Sequence, residues 1–365
     1  MSKPDLRRWL DKLEALIDLE HVERTSDLQR RAFAFEIVDH IPTVISYPVS
    51  NKEWPQFSFS EIYDDPEKML LRELLDVYTG TRIKDDRLYG IRANYGTGII
   101  ASMFGCDVRT FEDSLPIGLR VPPQKLDAIL DGGVPDVRSG IVGRALDTVE
   151  LFRETLEPYP KLSQTVGFQM LDIQGPFDNT SIVWGSEVFL ALYDAPEKVL
   201  RLSELVTEAI LAVVREHRRI DGRRDDENDG NWRHLGGLCV RNDSSVNLGR
   251  EQYERFGKTF DAKLIGMLGG WIHFCGRAHQ WWESLLDIPG LKGINPFQGQ
   301  FYDLIDMYQK CESAQIPIIQ WTTPLDAACR DRIRTGFSRR MWTQSYDDAR
   351  GAIERLNATG HADGE

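Results

Sequence analysis

The chain has 365 residues, 57 acidic and 44 basic side chains, a formal net charge of −13, and 41% hydrophobic and 28% charged residues. That balance belongs to a folded globular protein, and no apolar run approaches the roughly eighteen residues that a membrane span needs. A negative charge of this size also opposes non-specific binding to nucleic acid or to an anionic membrane surface.

The first segment, MSKPDLRRWLDKLEALIDLE, has no apolar core of signal-peptide type and reads as an amphipathic helix, so a cytoplasmic protein is expected. Helices over 5–20 and 25–36 form an N-terminal helical arm, residues 1–40. "DHIPTVISYP" then supplies a short β-branched run closed by Pro48, the first strand. "DPEKMLLRELLDVYTG" is a helix with Pro66 at its start and Gly80 at its end, and "RLYGIRANYGTGII" is a strand entering a glycine-rich loop. A helix "RALDTVELFRETLEPYP" and a strand "QTVGFQMLDIQGPFDN" follow.

In 196–220, Val199, Leu202, Val206, Ala209 and Val213 fall on one helical stripe behind Pro196. "DGRRDDENDGN" breaks that pattern and reads as a solvated loop. Beyond it come strands in "HLGGLCVRND", "GWIHFCG", "LKGINP" and "IPIIQWTTP", separated by helices that include "GREQYERFGKTFDAKLIGM" and "RAHQWWESLLDIPG", with a last helix in "SYDDARGAIERL".

This alternation of apolar strands and helices predicts a parallel sheet covered by helices. About eight units fit, and no G-x-G-x-x-G fingerprint follows a strand, so a single (β/α)8 TIM barrel over 41–355 is expected, with a flexible tail at 356–365.

In such a barrel the reactive groups stand at the C-terminal ends of the strands. That rule collects Tyr95, Thr97, Asp172, Gln174, Asn242, Asp243, His273, Cys275, Asn295, Gln298, Gln320 and Trp321 at one mouth. Each alone is equally at home as a helix cap or turn former. His273 and Cys275 are two apart on a strand and therefore share a face. They suit zinc, or they are a backbone-bonded histidine beside a small buried thiol. A third ligand is open between Cys239 on the preceding strand and Asp243. The five cysteines are scattered and odd in number, so they point to thiolate or metal chemistry rather than a disulfide framework.

"RRAFAFEIVDHIPTV", "IQGPFDNTSIVWGSEVFLALYDAPEKVLRLSELVTEAI", "NDSSVNLGREQYERF" and "HFCG" resemble, in that order, the uroporphyrinogen decarboxylase superfamily over roughly residues 28–350. The resemblance implies a (β/α)8 barrel and two activities. Where true uroporphyrinogen decarboxylases carry an arginine-rich motif, this chain has "SYPVSNKEWPQ". The cobamide-dependent methyltransferase branch is similar at His273 and Cys275, which match two zinc ligands; the segment "RTGFSRRMW", where that branch carries a third, cysteine, ligand, has none.

The expectation is thus a zinc-assisted methyltransferase acting on a small molecule. A corrinoid cosubstrate would be carried by a partner protein, with metal ligands His273, Cys275 and Cys239 or Asp243. Asp172, Asp243 and Tyr95 are expected in catalysis, and Arg92, Gln174, Asn242, Asn295, Gln320 and Trp321 on the substrate. The alternatives are a decarboxylase of a tetrapyrrole or other polycarboxylate, using Asp172 or Asp243 as acid with Arg92 or Arg241, and a non-catalytic binding barrel.

Overall fold

Short β-branched and apolar runs between turns give ten strands in a computed structural model that describes residues 6–222 and 230–363. They are β1 Thr43–Ser46, β2 Tyr89–Ile91, β3 Val108–Arg109, β4 Ile117–Gly118, β5 Val166–Phe168, β6 Cys239–Arg241, β7 Gly270–Phe274, β8 Leu291–Pro296, β9 Ile318–Trp321 and β10 Phe337–Trp342. Six form one parallel sheet in the order β1-β10-β9-β8-β7-β6, and β2 and β5 pair in parallel in a second. A small antiparallel hairpin, β3 with β4, stands apart.

The expected α/β architecture with parallel strands is present. The ladders do not close into a ring: β1 and β2 are not paired, nor are β5 and β6. At the first gap, side chains replace a neighbouring strand. Asp86 Oδ2 accepts from the Thr43 amide at 2.9 Å and Asp85 Oδ2 from the Ile45 amide at 2.7 Å. At the second, the Gly175 amide donates to the Arg241 carbonyl at 2.8 Å. A Cβ on Gly175 would stand 2.4 Å from Asn242 Oδ1 and 2.6 Å from the Arg241 carbonyl oxygen, so only glycine permits this approach.

Helices cover the sheets. In Pro196–Asp221, proline starts the helix, Gly222 ends it in the left-handed conformation, and Val199, Leu202, Val206, Ala209 and Val213 are all buried as their stripe predicts. One apolar core joins residues of both parallel sheets, from Tyr89, Ile91 and Val166 to Val240, Ile272 and Ile294. Among the described residues no helix is long and apolar enough to cross a membrane.

Several boundaries differ from expectation. The N-terminal helices are Leu6–Leu16 and Leu19–Phe33, because the Asp18 side chain accepts from the His21 amide and starts a new helix there. "GREQYERFGKTFDAKLIGM" carries a π-turn at Glu254–Lys258, and "RAHQWWESLLDIPG" forms only a 3-10 helix, Trp282–Asp287. β10 was not expected, since no strand was read in "RTGFSRRMW". Its charges are matched inside the fold, Arg339 to Asp363 and Arg340 to Asp76 and Asn231. Toward the C-terminus the last helix runs Tyr346–Thr359, Ala362 is buried, and Asp363 pairs with Arg339. Most of the loop "DGRRDDENDGN" lies outside the described residues.

Candidate metal centre and adjoining cavity

Strand register builds the site in layers. Cys239 pairs with Trp271, and one step on Arg241 pairs with His273, which in turn pairs with Asn295 of β8. Side chains two apart share a face, so the next step carries Asp243 and Cys275 past the strand ends on the same side. The Cys275 amide donates to Asp243 Oδ1 at 2.7 Å and ties the two turns together.

Asp243, His273 and Cys275 each offer a ligand atom, and the three atoms lie within 4.8 Å of one another. His273 Nε2 is 3.4 Å from Asp243 Oδ1 and 3.4 Å from Cys275 Sγ. The orientation of the imidazole is settled behind it. The Asn295 amide nitrogen donates to the Ile319 carbonyl at 2.6 Å, which leaves its oxygen facing His273 Nδ1 at 2.5 Å. That oxygen can only accept, so Nδ1 carries a proton and Nε2 is the atom turned toward the carboxylate and the sulfur, a donor to them while it holds a proton and a metal ligand once it has lost it. A proton or a metal ion must stand where three electron-rich atoms converge.

The electrostatics agree. Burial, then the neighbouring Asp243 carboxylate, pushes the Cys275 thiol up to about 12, so without a cation it stays protonated. Burial opposes the charge on Asp243, but its contacts with His273 and the Cys275 amide outweigh that and hold it below the ordinary carboxylate value. Asp178, at the start of the helix Pro176–Trp184, accepts from the Asp243 and Ser244 amides at 2.8 and 2.9 Å and shapes the turn that presents Asp243.

Below the centre lies a cavity of about 310 Å³ whose walls include His273, Asn295, Arg241, Gln320, Cys239, Trp271, Trp232, Phe297, Glu73 and Asp76. Gln320, in the left-handed conformation at φ 56°, accepts from Trp232 Nε1 at 3.0 Å. Near this cavity Asp172 bridges Arg92 at 3.3 Å and Arg241 at 3.5 Å and accepts from Gln174 at 2.6 Å. Burial raises the pKa of Asp172, but the two arginines prevail and lower it.

Other expected site residues are placed elsewhere. Cys239 lies a layer below His273 among Trp232, Trp271 and Ile319, outside the ligand group, and Asp243 takes the third position instead. Tyr95 is buried with its hydroxyl 2.8 Å from Thr148 Oγ1 and does not line the cavity. Trp321 is buried against Phe337 and does not line it either. Asn242 points into the protein, donating to Asp261 at 2.6 Å. Glu73, Asp76, Trp271 and Arg340 line the cavity without having been expected there. The first two lie on the helix Pro66–Ile83, where nothing in the spacing distinguishes them from solvent-facing acids.

No protein-family model and no curated protein matches the sequence. Among solved structures, a methyltransferase from Methanosarcina mazei superposes on 92% of this chain and 98% of its own, with a TM-score of 0.65 at 12% identity. The two share a fold.

Proposed function

We propose that this chain is a metal-assisted methyltransferase of the uroporphyrinogen decarboxylase superfamily type, with its eight parallel strands arranged as a (β/α)8 barrel. In this reading Asp243, His273 and Cys275 hold a zinc ion at the mouth. The observation that carries it is the convergence of carboxylate, imidazole and thiol, with Asn295 and Ile319 behind them selecting the ring tautomer that can bind a metal. The fold shared with a methyltransferase supports it.

Zinc bound there would supply a lowered pKa to a substrate thiol, making the thiolate available near neutral pH. The chain's own residues do the rest. To hold the ion Cys275 would give up its proton, and Asp243 would contribute a second negative charge. The cavity beside His273 takes the thiol-bearing molecule, with Asn295 and Gln320 in its wall and Arg92, Gln174 and Asp172 forming a fixed polar group near it. The thiolate sulfur forms a bond to the methyl carbon as the bond from that carbon to its donor breaks, the electron pair leaving with the donor. The donor is a corrinoid carried by a partner protein, or a methylated small molecule.

A tetrapyrrole decarboxylase is less well supported. The cavity is at the small end of ligand pockets. Arg92 and Arg241, the cations offered for substrate carboxylates, already face Asp172.

The test is to incubate zinc-loaded protein with methylcobalamin and 2-mercaptoethanol and follow loss of the methyl–cobalt absorbance. Demethylation by the wild type, absent from a folded Cys275→Ser variant, is expected. Zinc-loaded protein that leaves methylcobalamin unchanged with every small thiol tried contradicts the reading.

A further inference from the structure

The cavity's charges are matched in pairs, with one exception. Asp76 meets Arg87 at 2.6 Å and Arg340 at 3.6 Å. Arg241 meets Asp172 at 3.5 Å. Glu73 alone among the cavity's acids forms no ion pair with a described residue. Its oxygens accept one neutral donor each, the Arg92 backbone amide and Asn94 Nδ2, both at 3.1 Å. A carboxylate has about four acceptor positions, so Glu73 keeps acceptor capacity where it lines this cavity and a second one that it shares with Arg72.

We propose that this cavity recognises a small organic cation, with an ammonium group resting on Glu73. Trp232, Trp271 and Phe297 in the same walls suit a cation flanked by aromatic rings. Burial pushes the Glu73 carboxyl above its ordinary range, the charges of Arg92 and Arg72 compensating only in part, and a bound ammonium adds a countercharge in direct contact. Taken with the methyl-transfer reading, on which the sulfur end of this inference rests, the substrate class becomes an ammonium-bearing thiol: sulfur toward His273, nitrogen toward Glu73. At about 310 Å³ the cavity holds a molecule of that size.

The experiment titrates zinc-loaded protein with 2-aminoethanethiol, 2-mercaptoethanol and 3-mercaptopropionate by calorimetry. The aminothiol is expected to bind at least about tenfold more tightly than the neutral thiol. Glu73→Gln should erase that preference while leaving zinc content and 2-mercaptoethanol affinity unchanged. Equal binding of all three, tighter binding of the carboxylate thiol through Arg241 or Arg340, or a preference that survives Glu73→Gln overturns the proposal. The wild-type comparison stands by itself if the variant does not fold. Should the protein take up no zinc, the methyl-transfer reading fails separately, and the cation site is judged on metal-free protein by saturation-transfer NMR. There, 2-aminoethanol signal that disappears in Glu73→Gln upholds it, and no signal overturns it.

Discussion

His273 shows how one hydrogen bond decides what a side chain can do. Because Asn295 Oδ1 faces Nδ1, Nε2 is the nitrogen left to face the carboxylate and the thiol. Replacing Asn295 by Leu removes that selection and should weaken zinc binding about 10- to 100-fold, measured by competition with a chelating dye. Cys275 adds a pH signature. Its thiol, held up to about 12, must lose a proton when it becomes a ligand, so zinc affinity should rise about tenfold per unit between roughly pH 7.5 and 9. A flat profile in wild type would rule out Cys275 as a ligand.

Asp261 gives a second pH effect, on stability. Burial raises its pKa from the ordinary 3.8 to about 7, against the opposing bonds from Tyr253 and Asn242. The folded state therefore keeps a proton that the unfolded chain has lost. Stability from this group is full below about pH 4 and falls as pH rises toward 7, by up to about 1.4 kcal/mol per unit. Asp261→Asn, which can keep an oxygen on both partners, should flatten that slope in urea unfolding between pH 5 and 7. At this scale the sequence was informative about identity and poor about pairing. The two-residue spacing of His273 and Cys275 showed a shared face, but that Asp243 and not Cys239 comes within 4.8 Å of both needed the register of β6 against β7.

Strands and helices were legible wherever burial left its period in the sequence. The stripe on Pro196–Asp221 and the apolar runs of β1, β5 and β7–β9 are such cases. β10 was hidden because Arg339 is buried and Arg340 half-buried, each in an ion pair with a partner well separated along the chain. The edge of β1 was hidden likewise, since carboxylates of Asp85 and Asp86 take the place of a strand. Asp85 is fully buried against Arg87 at 2.8 Å, and Arg87 also bridges Asp76. Asp85→Ala leaves Arg87 short of a partner and the Ile45 amide bare. It should destabilise the fold by about 3–5 kcal/mol in urea titration. A loss under about 1 kcal/mol would mean that the gap beside β1 is held by packing alone.

For the whole molecule, the two parallel sheets share one core even though their ladders do not join. Tryptophan fluorescence and far-UV circular dichroism should therefore report one coincident urea transition; two separated transitions would show that β2 and β5 form an independent unit. The alternation of elements made the layered α/β plan legible in advance. The cavity wall was not, because Glu73 and Asp76 reach it from a helix. The central claim is that this plan brings three ligands to one metal ion at the mouth. The direct measurement is elemental analysis of protein prepared without a histidine tag, beside Asp243→Ala and Cys275→Ser. About one zinc per chain in the wild type, lost in both variants, is the predicted result. Wild-type protein that takes up no metal, or variants that retain it in full, would contradict the account.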